Sequence, residues 1–168
     1  MLGYPGAGKT TASKEITKIT GAEHIWADHI RREAYNPPTY SHEENLELYS
    51  KLNNLTEQML QDGKSVIFDT NFSYYNDRKH LIQIAQKTGA KAVIVWVQTP
   101  KGLAKQRAVV DAHLHSHTRV LGHMPEAKFE KISLKIEPLR DSEPRITLDG
   151  TKISEDYVRN RLEDANIV

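Results

Sequence analysis

The chain has 168 residues and a mass of 19.1 kDa, which is room for one domain. Its 23 Lys and Arg residues against 22 Asp and Glu residues leave a net charge of +1, which argues against binding duplex DNA by bulk charge. The absence of cysteine excludes disulfides and cysteine-ligated metal sites. No apolar run approaches the roughly 18 residues that span a bilayer, so we expect no membrane partner and a cytoplasmic protein with one domain over 1–168.

Helical patterns alternate with short apolar runs along the chain. Helices are predicted over 10–19, 41–62 and 77–88, and after Pro100, Pro125 and Ser154; strands are predicted over 24–27, 65–68, 92–97 and 145–148. The run over 92–97 (AVIVWV) shows no polar alternation, which is typical of a strand covered on both faces. This element order predicts an α/β fold with a parallel sheet between two helical layers.

The helix over 41–62 begins with a recognisable capping pattern. Ser41 is followed three residues later by Glu44, the spacing of a capping box in which each side chain bonds the other residue's backbone N–H. Gly63 then provides a stop signal.

Residues 3–10 (GYPGAGKT) match the phosphate-binding pattern G-x-x-x-x-G-K-[ST] at every fixed position. Gly6 and Gly8 allow backbone N–H groups to turn toward phosphate oxygens, and Lys9 supplies a positive charge for the β and γ phosphates. The hydroxyl of Thr10 is a ligand for Mg²⁺, and the helix that follows points its positive end at the same place. The motif predicts a site for ATP and Mg²⁺.

A strand is expected before this motif, yet only Met1 and Leu2 precede Gly3. We expect a shortened first strand or a chain that lacks its natural start.

Two aspartates follow predicted strands. Asp28 is a candidate base for the proton of an attacking hydroxyl, and Arg31 is a candidate ligand for an anionic group of the acceptor. The alternative for Asp28 is a helix cap. Asp69 follows an apolar strand, which indicates a carboxylate that reaches Mg²⁺, and Asn71 is suited to hold an acceptor; the alternative here is a capped turn.

These segments together resemble the P-loop kinases of the polynucleotide kinase and zeta-toxin type, often described as AAA-domain ATP-binding proteins. The resemblance rests on GYPGAGKT, ADHIRR, VIFDTNF, Arg78, AVIVWV and Arg107, and it spans roughly 1–150. It implies a three-layer P-loop NTPase fold with strand order 2-3-1-4-5, counting residues 1–2 as the first strand, and a helical lid over about 108–126.

The resemblance also implies roles for single residues. Asp28 would act as the general base and Arg31 would bind the acceptor, with Asp69 and Asn71 near Mg²⁺ and the acceptor. Arg107 would pack on the adenine and reach toward the phosphates. The implied ATP-binding residues are Gly3, Pro5, Gly6, Ala7, Gly8, Lys9, Thr10, Thr11 and Arg107; the implied catalytic residues are Lys9, Asp28, Arg107 and Arg119.

Some positions depart from the family pattern or allow two interpretations. A second lid arginine is expected shortly after Arg107, but Val110 and Asp111 stand there, and Arg119 is the candidate replacement. Arg78 is either an acceptor ligand or a surface arginine. Four histidines of the lid segment are more readily explained as a phosphate-proximal or solvated lid than as a metal site: His113, His115, His117 and His123.

We therefore expect an ATP-dependent phosphotransferase whose acceptor is a hydroxyl of a small molecule, a nucleotide or a nucleic-acid 5′ end. A toxin that phosphorylates a cell-wall precursor sugar is one form of this activity. The alternative is a nucleotide-binding switch without kinase chemistry, which the missing lid arginine and the short first strand would favour. The sequence does not indicate an oligomeric state.

Overall fold

Strands and helices alternate in the computed structural model, which describes residues 1–111 and 124–168. The helices are α1 (Lys9–Thr20), α2 (Ala27–Ala34), α3 (His42–Gln61), α4 (Tyr75–Lys87), α5 (Lys101–Lys105), α6 (Glu126–Leu134) and α7 (Glu155–Asp164). The strands are β1 (Glu23–Trp26), β2 (Val66–Asp69), β3 (Ile94–Gln98) and β4 (Arg145–Asp149). A π-helical turn, Gln106–Val110, continues α5.

The strands form two parallel ladders with residues 1–2 between them. β1 pairs with β2, and β3 pairs with β4. The N–H of Leu2 donates to Val95 O, and the N–H of Val97 donates to Leu2 O, each at 2.8 Å. On the other side, the nitrogen of Met1 donates to Phe68 O at 3.0 Å. The order is therefore β1, β2, residues 1–2, β3, β4, which confirms the expected 2-3-1-4-5 arrangement.

Hydrophobic side chains cover both faces of this sheet. Val95 and Val97 belong to one core cluster, which includes residues of α1 and α7. The intervening Ile94 and Trp96 pack against a second cluster, which includes residues of α3. Because neighbouring residues of a strand point to opposite faces, this alternation explains the unbroken apolar run in the sequence. Among the described helices, none is both long enough and apolar enough to cross a bilayer.

The capping pattern of α3 is only half formed. Ser41 Oγ accepts a hydrogen bond from the N–H of Glu44 at 3.1 Å, as predicted. The carboxylate of Glu44, however, does not return to Ser41; it binds the backbone N–H groups of Thr39 and Tyr40 and the guanidinium of Arg31. The capping-box expectation is thus wrong for Glu44, because a stronger charged partner lies within its reach.

Arg78 is a structural residue in this fold. Its side chain is 1% exposed, and its Nε donates to Glu143 at 2.6 Å. Its two terminal nitrogens donate to the carbonyls of Phe72, Ser73 and Pro138. Neither the acceptor-ligand nor the surface interpretation holds, because the guanidinium is buried among these partners.

Replacing Arg78 with methionine is expected to lower the free energy of unfolding by about 3 kcal/mol, because it leaves the buried carboxylate of Glu143 without its charged partner. Urea denaturation measures this change. The double variant Arg78→Met/Glu143→Leu should regain most of the loss, and nucleotide affinity should stay unchanged. A single variant as stable as the wild type would contradict the structural role.

Candidate active site

The loop between residues 1–2 and α1 curls around the amine of Lys9. Lys9 Nζ donates to the carbonyl oxygens of Gly3 and Tyr4 at 3.0 and 3.1 Å. Gly6 and Gly8 take φ angles of 80° and 100°, a left-handed conformation that side chains disfavour. The loop therefore has the shape that its sequence predicts, with the N-terminus of α1 directly behind it.

Gly6 also marks a close contact between this loop and α5. A Cβ atom at Gly6 would collide with the carbonyl oxygen of Ala104, which is fully buried. Since no side chain separates the two backbones, the loop rests directly on the helix that leads to Arg107.

A cleft of about 760 Å³ opens above this loop, at the carboxyl ends of the strands. It brings together most of the sequence-predicted site residues: Pro5, Gly6, Gly8, Lys9, Thr10, Thr11, Asp28, Arg31, Asp69, Asn71 and Arg107. The cleft fits the size of ligand pockets in general.

Gly3 and Ala7 do not line the cleft, which corrects their expected role as direct ATP ligands. A Cβ at Gly3 would lie 2.6 Å from the carbonyl oxygen of Val97, so this glycine permits close packing against β3. The N–H of Ala7 donates to Tyr4 O at 3.0 Å, and its carbonyl accepts from Thr99 Oγ1 at 2.8 Å. Both residues shape the loop from behind.

Asp69 ends β2 and lies almost fully buried at the floor of the cleft. His24, on the neighbouring strand β1, donates from Nε2 to Asp69 Oδ2 at 3.1 Å. Burial alone would raise the pKa of this carboxyl, but the hydrogen bond from His24 and the positive charge of Lys9 outweigh it and lower the pKa. Asp69 therefore stays ionised.

Asp28 lies in the first turn of α2 and not at a helix cap. Its side chain faces the cleft, where the surrounding walls limit its hydration and raise the pKa of its carboxyl. The charge of Lys9 partly offsets this rise, and the charge of Asp69 adds to it. Lys9, Asp28 and Asp69 are thus electrostatically coupled in one cleft, with pKa values of the two aspartates shifted in opposite directions.

The donor set suits Mg²⁺. The hydroxyl of Thr10 and the ionised carboxylate of Asp69 line the same cleft beside the phosphate-binding loop. Mg²⁺ in nucleotide sites is bound through one or two such oxygens together with phosphate oxygens and water. Among the described residues, no group of three or more His, Cys, Asp or Glu side chains could hold a metal ion.

Arg107 enters the cleft from the π-helical turn after α5. Its Nη1 donates to the carbonyl of Gly150 at 3.0 Å, in the connection between β4 and α7. Arg107 and Gly150 both line the cleft beside the loop. A π-helical turn is uncommon and often occurs at functional sites.

Arg31 lines the cleft with its guanidinium already engaged. It pairs with Glu44, and its Nη2 donates to Asn45 Oδ1 at 2.6 Å. The ring of Tyr40 lies 4.6 Å from the guanidinium carbon. Arg31 therefore lies in the cleft, as expected of an acceptor-binding arginine, but its guanidinium is already paired with the carboxylate of Glu44.

Part of the expected site falls outside the described residues. Arg119 and the four lid histidines lie in 112–123, as does most of the lid predicted over 108–126. Their roles stay predictions.

Several lining residues were missed by sequence reasoning. Tyr49 shares a hydrogen bond of 2.7 Å with the hydroxyl of Thr70, and Asn45 lies one turn before it on α3. Lys128 of α6 lies with its Nζ 4.5 Å from the ring of Tyr40. Of these residues, Gly150 could have been predicted from the sequence. It directly follows β4, and a glycine just after a strand at the ligand-binding edge indicates a close backbone approach.

Known proteins share this fold. Residues 1–132 match the sequence model of a family described as AAA domain. A sugar kinase from Janibacter sp. HTCC2649 is similar in structure, with 20% identity, a TM-score of 0.70, and 99% of this chain and 92% of that chain covered. A gluconokinase from Sinorhizobium meliloti has 17% identity and a TM-score of 0.64, with 96% and 87% covered.

A third similar structure is a shikimate kinase from Acinetobacter baumannii in complex with shikimate. It has 21% identity and a TM-score of 0.60, with 98% of this chain and 90% of that chain covered. The expectation of a P-loop kinase fold is therefore confirmed.

Proposed function

The chain belongs to the AAA domain family, and from that membership and the cleft we propose that it is an ATP-dependent phosphotransferase acting on a hydroxyl group. The observation that carries this proposal is the shared cleft of Lys9, Asp28 and Asp69, in which one carboxylate is held ionised and the other has a raised pKa. When the environment shifts the pKa values of two neighbouring carboxyl groups in opposite directions, the two groups typically have different roles in catalysis.

The residues assigned to the nucleotide half of the cleft are Pro5, Gly6, Gly8, Lys9, Thr10, Thr11 and Arg107. Backbone N–H groups of the loop and the amine of Lys9 would bind the β and γ phosphates, with the N-terminus of α1 adding its positive potential. When bound, Mg²⁺ would neutralise developing charge on the phosphates, held by Thr10 and Asp69. Arg107 would cover the nucleotide from the side of Gly150.

The transfer step uses Asp28 as general base. The acceptor hydroxyl oxygen forms a bond to the γ-phosphorus while the bond from that phosphorus to the β–γ bridging oxygen breaks. The hydroxyl proton passes to the carboxylate of Asp28, and ADP leaves. A base with a raised pKa holds this proton more readily than an ordinary aspartate.

Product analysis with γ-labelled ATP tests the proposal. We expect label on an acceptor when a mixture of hydroxyl compounds is supplied, at a rate well above the release of free phosphate. Nucleotide binding with only slow hydrolysis, equal with and without acceptors, would instead indicate the nucleotide-binding switch.

Replacing Arg107 with alanine is expected to weaken ATP affinity about tenfold, because a charged hydrogen-bond donor is lost from the nucleotide half. The Michaelis constant for the acceptor should change much less. Isothermal titration with a non-hydrolysable ATP analogue measures the first quantity, and steady-state kinetics the second. Arg159→Ala on α7 is the matched control. A larger effect on the Michaelis constant for the acceptor than on ATP affinity would instead indicate that Arg107 contacts the acceptor.

A further inference from the structure

We infer that the acceptor is an uncharged, hydroxyl-rich small molecule, of the size of a sugar, and not a compound that already carries a phosphate group. The inference rests on the proposed function and concerns the acceptor half of the cleft, defined here as the part lined by Asp28, Arg31, Tyr40, Asn45 and Tyr49. It differs from the expectation that Arg31 holds an anionic group of the acceptor.

The positive charge of Arg31 is neutralised within the fold. Its Nη1 donates to Glu44 Oε1, and both residues are only 5% exposed. Its Nη2 donates to the amide oxygen of Asn45. A phosphate group would have to compete with a buried carboxylate for this guanidinium, whereas a neutral hydroxyl can accept from the N–H groups that remain.

Glu44 cannot leave this pair easily. Its second oxygen accepts from the N–H of Thr39 at 2.6 Å, from Thr39 Oγ1 at 2.7 Å and from the N–H of Tyr40 at 3.1 Å. Burial would raise the pKa of Glu44, but the hydrogen bonds from Thr39 and Arg31 outweigh it and lower the pKa to about 2. The carboxylate is therefore ionised at physiological pH, and the pairing persists.

The other charges do not favour a phosphorylated acceptor. Asp28 brings a negative charge into the acceptor half once it is ionised. Of the other described cations that line the cleft, Lys9 and Arg107 lie in the nucleotide half and Lys14 lies over the ring of Trp26. Lys128 borders the acceptor half, where its amine is held over the ring of Tyr40. A phosphate in the acceptor half would thus meet repulsion from Asp28, while Arg31, the buried cation of this half, is already paired with Glu44.

Neutral hydrogen-bonding groups line the cleft in this half and beside it. Tyr49 and the neighbouring Thr70 present hydroxyls that bond each other, and Asn71 presents an amide. The amide of Asn45 accepts from Arg31 and donates to the carbonyl of Tyr40. Hydroxyl and amide groups both donate and accept, which matches the hydroxyls of a polyol.

A phosphate titration tests the inference directly. The full chain is saturated with Mg²⁺ and a non-hydrolysable ATP analogue, so that the phosphate-binding loop is filled, and inorganic phosphate is then titrated by calorimetry. We expect a dissociation constant above about 10 mM for the wild type. A constant below about 1 mM that is lost in Arg31→Gln would overturn the inference.

The variant Glu44→Gln should free the charge of Arg31 and tighten phosphate binding at least about tenfold. Glu47→Gln, an exposed carboxylate on the same helix, should leave phosphate binding as in the wild type. A folded Glu44→Gln protein with no gain in phosphate binding would contradict the neutralising role of Glu44. If this variant does not fold, the wild-type titration still decides.

Label transfer adds a second readout. The wild type is offered a mixture of uncharged sugars and sugar alcohols, or a mixture of sugar phosphates and nucleotides. Transfer to the uncharged mixture supports the inference, and transfer to the phosphorylated mixture alone overturns it. Failure of the ATP analogue to bind would instead count against the proposed function, so the two failures are distinguishable.

Discussion

Lys9→Ala is expected to lower phosphoryl transfer by about 10³-fold or more, because it removes a positive charge aimed at the phosphates. The amine of Lys9 also donates to the carbonyls of Gly3 and Tyr4, so its loss removes two hydrogen bonds that hold the loop in its curled conformation. Both effects act on the nucleotide half. Steady-state transfer with γ-labelled ATP, together with calorimetric titration of the ATP analogue, measures them.

Lys18→Ala is the matched control for this variant. Lys18 lies on the same helix, is exposed, and pairs with Glu15 at the surface, so its loss should change transfer less than twofold. Full transfer activity in Lys9→Ala would remove the argument for a phosphate-binding loop.

Asp28→Asn is expected to lower the rate of transfer by about 10²- to 10⁴-fold, while ATP affinity changes little. An amide keeps the shape of the side chain but cannot take the proton of the acceptor hydroxyl. The base works only when ionised, and limited hydration within the cleft raises its pKa, so wild-type activity should fall with decreasing pH at a point above the usual pKa of aspartate.

The pH profile separates this role from a structural one. In Asp28→Asn the residual activity should lose the acid limb of the profile, whereas the exposed control Asp164→Asn should keep both the limb and the rate. An unchanged profile in Asp28→Asn would assign proton removal to another group.

The sequence predicted those parts of the molecule that depend on neighbouring residues. The loop over 3–10 and the placement of Asp69 follow from short motifs, and the parallel sheet follows from the order of apolar runs. Because strand ends of such a sheet meet at one edge, the shared cleft could be predicted as well.

The partners of the buried arginines could not be predicted in this way. Arg78 binds Glu143, which lies 65 residues further along the chain, and no pattern links the two. Glu44 fits a local capping box, yet Arg31 outcompetes that local bond once the fold brings them together. In both cases tertiary contact decides between alternatives that local spacing leaves open.

The π-helical turn at Gln106–Val110 sets the direction in which Arg107 projects. A regular α-helix advances about 100° around its axis for every residue, so the wider turn shifts the azimuth of what it carries. We expect that shortening the segment by one residue would turn the Arg107 guanidinium away from Gly150. In this segment the chain gives up regular α-helical hydrogen bonding, and Arg107 lies within hydrogen-bonding distance of Gly150 in the cleft.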